Sequence, residues 1–272
     1  MRSHYVSDID ADANEIPMVK LDTTYRFGPD TAEFIRSTVY EEDGIDYSSG
    51  VDPNDIQTQH TATTTPLQTA FEGGEVTLIT YDSETTYQQV NVLEATIAQA
   101  LLQNHHPDAT AGLVTPHNAQ RSRLREMLQN LEADADVTTN IELGETTFVE
   151  TVERFQGGEN DLMIVSATAT DPQYIRAENE FLLEQNRANV SFTRHKNKLI
   201  VIAAESLLSH IPADTTIYDE ALLWKELPAA VGEPPTDSTT PDWSGSLKEF
   251  TTPMDAPGFL SAGETTISVY DL

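Results

Sequence analysis

Four short segments carry residue types suited to phosphate and sugar chemistry. Thr24-Tyr25-Arg26-Phe27-Gly28-Pro29 sets an Arg ahead of a Gly-Pro turn, which can present a guanidinium to a phosphate and reads equally as a surface Arg near a turn. Leu113-Val114-Thr115-Pro116-His117-Asn118-Ala119-Gln120 ends an apolar run in Pro and polar residues. Thr115 and the helix N-terminus expected there could hold a phosphate, or could form an ordinary strand-to-helix cap. In Val152-Glu153-Arg154-Phe155-Gln156-Gly157-Gly158-Glu159-Asn160-Asp161 the paired glycines permit close backbone approach, and Glu159 could accept hydrogen bonds from ribose hydroxyls. A Gly-Gly turn with a solvated Glu is the plainer alternative. In Asn186-Arg187-Ala188-Asn189-Val190-Ser191-Phe192-Thr193-Arg194-His195-Lys196, a helix would place Arg187, Val190 and Arg194 on one face, either to address phosphates or as a solvated basic face.

These segments need strands and helices to position them. Val76–Thr80, Gly112–Thr115, Thr147–Val149, Leu162–Ser166 and Leu199–Ala204 read as strands, the last two as near-continuous apolar runs of the kind buried on both faces. Between them, Val90, Leu93, Ile97 and Leu101 fall at helical spacing, as do Leu124, Met127, Leu128 and Leu131, and a third helix is expected over about Glu178 to His195. Alternating strands and helices predict an α/β fold, a mainly parallel sheet with helices on both faces. In such sheets ligands sit at the carboxyl ends of the strands, where the four segments are expected. Residues 1–20 read as an N-terminal extension, residues 21–226 as the main domain and about 43–74 as a loop or insertion. Residues 227–272, Pro-punctuated and rich in Thr, Ser and Asp, read as a mobile tail able to dock on a partner.

Composition narrows the setting. Asp and Glu number 45 against 15 Lys and Arg, a formal charge of −30, while apolar residues make up 38%. The apolar runs argue against wholesale disorder, so the acidity is read as adaptation to a salt-rich cytoplasm, where ionic strength screens repulsion between carboxylates. Such a charge opposes nucleic-acid binding in general. The cations are unevenly spread, however: none lies between Ser37 and Gln120, and nine of the fifteen lie between Arg121 and Lys198. There is no Cys, hence no disulfide and no Cys-type zinc site; no metal site is expected. No secretory apolar region opens the chain and no run of about 18 apolar residues occurs, so a cytoplasmic protein with no membrane partner is expected.

Taken in order, Thr-Pro-x-x-x-Gln at 115–120, Phe-Gln-Gly-x-Glu-x-Asp at 155–161 and Asn-Val-x-x-Thr-Arg at 189–194 resemble motifs IV, V and VI of superfamily 1 helicases. The branch most similar is that of the nonsense-mediated-decay RNA helicase and its DNA-helicase relatives, and Tyr25-Arg26 resembles the Arg stretch between motifs III and IV. The resemblance spans roughly Leu21 to Ser209. It implies the second, RecA-like lobe of a helicase motor, a P-loop NTPase-like fold lacking the P-loop. It further implies that Arg26 and Arg194 reach a γ-phosphate, that Glu159 binds ribose with Gly157 in the turn beside it, and that Arg187 lies near the nucleotide. Thr115, Pro116 and Thr151 would lie near a nucleic-acid backbone. Three positions depart from the pattern: Gly158 replaces an Arg, His195-Lys196 replaces Ala-Arg, and Gly28 stands where His often precedes Pro.

No Gly-x-x-x-x-Gly-Lys-Ser/Thr and no apolar run ending in Asp-Glu occurs in these 272 residues. The expectation is therefore a lobe that cannot turn over ATP alone and shares ATP and Mg²⁺ with a Walker-containing N-terminal lobe, present in trans or lost by truncation. Its other partner would be single-stranded DNA or RNA. An ATP-independent RecA-like module that binds nucleic acid or protein, and a remnant without activity, are the alternatives.

Overall fold

A computed structural model describes residues 22–41, 43–133, 147–155, 158–231, 240–252 and 265–271. Nine strands occur among them: β1 Thr23–Thr24, β2 Ser48–Ser49, β3 Val76–Asp82, β4 Ala111–Thr115, β5 Thr147–Thr151, β6 Asn160–Ser166, β7 His195–Ala204, β8 Trp243–Ser246 and β9 Thr266–Asp271. The first two form a small parallel pair, and the other seven form one sheet in the order β5-β4-β6-β7-β3-β9-β8. The five strands from β5 to β3 are parallel, and β9 and β8 are antiparallel additions at the β3 edge.

Strand β7 shows why the sheet is covered twice. Leu199, Val201 and Ala203 enter one apolar cluster, and Ile200, Ile202 and Ala204 enter another on the opposite face. Period-two alternation of two apolar sets leaves no polar face, so both sides need helices. The first cluster takes in Phe34, Phe192, Leu223 and Trp224 from helices Pro29–Ile35, Gln185–Phe192 and Leu222–Ala230. The second takes in Leu93, Ile97, Leu101, Leu124 and Met127 from helices Val92–Asn104 and Asn118–Ala133. The expected α/β RecA-like fold, a mostly parallel sheet between helical layers, is the observed one.

Four sequence expectations are corrected. Val90 precedes its helix, which begins at Val92 after Asn91 accepts bonds from Leu93 N and Glu94 N. The helix expected over about 178–195 is instead two short helices, Asn179–Leu182 and Gln185–Phe192, preceded by a third at Pro172–Ala177. Glu184 caps the last of these through Arg187 N, and the helix ends at Phe192, so Arg194 does not share a helical face with Arg187. The stretch read as a loop over 43–74 contains helix Thr65–Glu72, whose Leu67 and Phe71 are buried. The described parts of the expected mobile tail are built into the domain. Ile267 and Val269 of β9 are buried against β3, and helix Leu247–Thr251 inserts Leu247 and Phe250 into the same cluster. The driving force is an open sheet edge at β3, whose backbone groups and apolar face need a cover. The expected extension 1–20 and Gly157 lie outside the described residues.

Candidate nucleotide-facing site

Two helix and strand starts create the site. Glu159 immediately precedes β6 and Arg194 immediately precedes β7, so both lie at the amino end of the parallel strands. Asn160 N donates to Arg194 O at 3.0 Å, which ties the two segments together. Arg26 arrives from ahead of helix Pro29–Ile35. Its Nε donates to Glu159 Oε2 at 3.1 Å, across 133 residues of sequence, and a terminal nitrogen donates to the Thr193 carbonyl at 3.1 Å. Lys196 Nζ lies 3.1 Å from the other oxygen, Glu159 Oε1. These hydrogen bonds to Lys196 and Arg26 hold the Glu159 carboxyl below the usual carboxylate range.

Arg194 completes the group. Partial burial lowers its affinity for a proton, the nearby Arg26 lowers it further and Glu159 raises it, so the three side chains share one local field. The buried Nε of Arg194 has no hydrogen-bond partner. A buried guanidinium nitrogen without a partner is costly.

A buried brace sets Arg26 in place. Gly28 is the N-cap of helix Pro29–Ile35 and makes no side-chain cap. Glu75 caps it from the start of β3 instead, accepting from Asp30 N at 3.1 Å, Thr31 N at 3.4 Å and Thr31 Oγ1 at 2.9 Å. A Cβ at position 28 would fall 2.1 Å from Glu75 Oε1 and 1.9 Å from Ile56 Cδ1, so glycine is what admits the carboxylate. Burial pushes the Glu75 carboxyl up, and the three donors pull it back. His195, fully buried, lies 3.0 Å from Thr31 Oγ1 through Nε2 and stacks on Phe27 at 5.5 Å. Burial holds its ring neutral, down to about 3. Two departures from the helicase pattern, Gly28 and His195, thus belong to one packing arrangement.

The other predicted residues sit at the opposite end of the sheet, about 20 Å away along the seven residues of β6 at 3.3 Å per residue. The carboxyl-end placement expected for the nucleotide residues is therefore corrected: Glu159 and Arg194 precede their strands. Thr115 and Thr151 are buried, and the Thr115 hydroxyl pairs with that of Thr168 at 2.9 Å. Both side chains lie beneath the surface in this arrangement, and Pro116 beside them is half-buried. Arg187 does not join Arg26, Glu159 and Arg194. It pairs with Glu153 at 3.3 Å and lies over the Phe181 ring at 4.0 Å, beside His117, which stacks on Phe181 at 5.4 Å. Burial and the Arg187 charge push His117 down to about 4.

Sequence reasoning did not single out Tyr25, Lys196, Glu75 or His195 as site residues; of these, Lys196 pairs with Glu159, and Glu75 and His195 brace the Arg26 segment. Tyr25 is 79% exposed, with its ring lying on Gly50. Lys196 and His195 adjoin a motif residue, and that adjacency was the available signal. Nothing local marks Glu75, whose role exists only in three dimensions.

A family model described as an AAA domain matches residues 6–206. The chain belongs to that AAA domain family. Among curated relatives, an uncharacterized ATP-dependent helicase of Methanocaldococcus jannaschii is 32% identical over 113 residues, 41% of this chain and 14% of the relative. The DNA polymerase alpha-associated DNA helicase A of Saccharomyces cerevisiae is 30% identical over 144 residues, 47% of this chain and 19% of the relative. Regulator of nonsense transcripts 1 of Dictyostelium discoideum is 30% identical over 128 residues, 45% of this chain and 9% of the relative. The chain thus matches less than a fifth of the length of each. It is a superfamily 1 helicase-like domain, and β8 and β9 lie beyond the family match. Among the described residues, no helix is long and apolar enough to cross a membrane.

Proposed function

We propose that this AAA-family domain is the second motor lobe of an ATP-dependent superfamily 1 helicase, and that it completes a nucleotide site begun by a Walker-containing lobe. One observation carries the reading. Arg26 reaches across the sequence to Glu159 and to the Thr193 carbonyl, and the Arg194 carbonyl accepts from Asn160 N, so the segments carrying Arg26, Glu159 and Arg194 are drawn together. ATP would supply the phosphoanhydride bond. Arg26 and Arg194 would neutralise charge on its transferring phosphoryl group, as arginine fingers do. The exposed Tyr25 ring beside Arg26 offers a base a stacking face. Glu159 would take ribose hydroxyls once released from its cations. Among the described residues no group of three or more His, Asp or Glu could hold a metal, so this reading assigns Mg²⁺ to the phosphates and the other lobe.

At the opposite end, Pro116 and the Arg187–Phe181 pair form the surface on which a single strand of DNA or RNA would lie. Distance from the nucleotide cluster fits a motor in which lobe closure moves strand contacts. The −30 charge suits a salt-rich cytoplasm, where an acidic surface stays soluble and its repulsion is screened.

The test is reconstitution. This chain and a Walker-bearing lobe are mixed at molar salt and ATP hydrolysis is followed. Stimulation by the parent and its loss by about a thousandfold or more in Arg194→Ala, with an unchanged melting curve, is expected. Equal stimulation by the variant removes the finger assignment. Failure of the parent to stimulate, with single-strand binding that ignores nucleotide, favours an ATP-independent binding module.

A further inference from the structure

Glu159 is doubly occupied. Arg26 holds one oxygen and Lys196 the other, each at 3.1 Å, and Arg194 stands in the same field with its Nε unused. Three cations around one carboxylate form a locally positive patch in a chain of net charge −30. The side chains are 35% exposed at Arg26, 43% at Lys196 and 44% at Glu159, so a ligand can reach all of them without unfolding anything. The cations themselves are held by more than this pairing. Arg26 also donates to the Thr193 carbonyl, and the Glu75–Thr31–His195 brace fixes its segment.

We propose that Glu159 is an internal stand-in for phosphate, and that Lys196 is a third phosphate-reading cation held in reserve by it. The inference rests on the nucleotide-site reading above and deepens it. A polyphosphate entering the patch competes with the Glu159 carboxylate for Arg26 and Lys196. The contest is close, because exposed ion pairs are individually weak. A ribose gives the displaced carboxylate new donors, so one exchange both frees the cations and recognises the sugar. The consequence is selectivity: a bare polyphosphate must evict Glu159 without compensation, whereas a nucleoside triphosphate offers Glu159 a new partner. Position 159 is thereby a specificity-determining position, acting in the empty site as well as in the filled one, and Lys196 adds affinity for phosphate.

The experiment uses the full chain and two probes, inorganic tripolyphosphate and ATP, with binding measured by calorimetry at one fixed salt concentration. Parent, Glu159→Gln, Lys196→Ala, Arg194→Ala and the double variant Glu159→Gln/Lys196→Ala are compared, each first checked for an unchanged melting curve. Removing a competing carboxylate that makes two exposed pairs should tighten tripolyphosphate by about three- to tenfold in Glu159→Gln. The same change should leave ATP no tighter, because ribose contacts are lost. Lys196→Ala should weaken tripolyphosphate, and the double variant should fall back toward the parent. Glu159→Gln binding tripolyphosphate no better than the parent, while Arg194→Ala still weakens it, overturns the stand-in and leaves the nucleotide-site reading intact. Lys196→Ala equal to the parent overturns the third cation. No binding of either probe by any protein at millimolar concentration overturns this proposal, whereas the nucleotide-site reading stands or falls with the two-lobe reconstitution.

Discussion

Replacing Asp271 with Asn should cost the domain about 3 kcal/mol, because it leaves a lysine charge stranded in the interior. Lys198 on β7 has 0% of its side chain exposed, and its Nζ donates to the Gly74 carbonyl at 2.5 Å and to Asp271 Oδ1 at 3.0 Å. Asp271 ends β9, is 14% exposed and also accepts from Thr77 Oγ1 at 2.6 Å. Burial lowers the Lys198 proton affinity and raises that of Asp271, so each group is costly without the other. Breaking a buried pair from one side costs about 3–5 kcal/mol, and the partial exposure of Asp271 places this case at the lower end. For a domain of this size that is a fall in Tm of roughly 6–12 °C. The assay is thermal unfolding followed by circular dichroism, at low and at molar salt. The loss should be nearly equal in both, because mobile ions do not reach a buried pair. The double variant Lys198→Met/Asp271→Leu should recover most of it, since an apolar pair of similar volume removes both desolvation costs. A loss under about 1 kcal/mol, or one that disappears at high salt, refutes the reasoning, for then Lys198 is solvated and β9 is not seated on β3.

Further expectations concern the brace, acid, base and salt. His195→Ala should lower the melting temperature and, unlike other core truncations, weaken tripolyphosphate binding, because Arg26 loses its seat; a fall in stability alone would make His195 structural only. His117 and His195 have folded pKa values below the unfolded 6.5, at about 4 and about 3, so the unfolded chain binds more protons below pH 6.5. Stability from them is present above pH 6.5 and declines as pH falls toward 4, and a His117→Phe variant should show a shallower decline in urea titrations. Glu94, buried and accepting from Tyr81, Ser166 and Thr168, is pushed up to about 7. Its contribution runs the other way, being complete below pH 4.5 and lost as pH rises through about 7, so the stability gap between parent and Glu94→Gln should vary across that window; a constant gap refutes the shift. Raising potassium chloride from low to molar concentration should raise the melting temperature of the parent, and an unmoved melting temperature would count against salt adaptation.

Much of this was legible in the sequence, for reasons that are local. Leu199–Ala204 and Leu162–Ser166 announce doubly buried strands because no residue in them tolerates water, and a parallel sheet follows from helices alternating with such strands. Arg26, Glu159 and Arg194 were singled out because each stands in a motif whose order and spacing are specific, and the fold brings their segments together. Helix Thr65–Glu72 was harder to read, since Thr and Gln hide its two buried anchors, Leu67 and Phe71. Strand β9 was hidden by the acidic, Pro-rich character of its surroundings, although Thr-Ile-Ser-Val-Tyr alternates and Ser246-x-x-Glu249 is a capping box.

The sequence by itself determined the fold class, the main elements of the parallel sheet and which charged groups are candidates for phosphate chemistry. Tertiary structure alone decided which end of the sheet they occupy and which groups they meet. Arg187 and Arg194 are seven positions apart, yet a helix end between them sends one to Glu153 and Phe181 and the other to Arg26 and Glu159. Glu75 caps a helix that begins far earlier in the chain, and Lys198 is neutralised by a strand that ends the domain. Periodicity and caps act over a few residues and are written in the chain, whereas electrostatic partners fall off with distance in space, which only the folded topology sets.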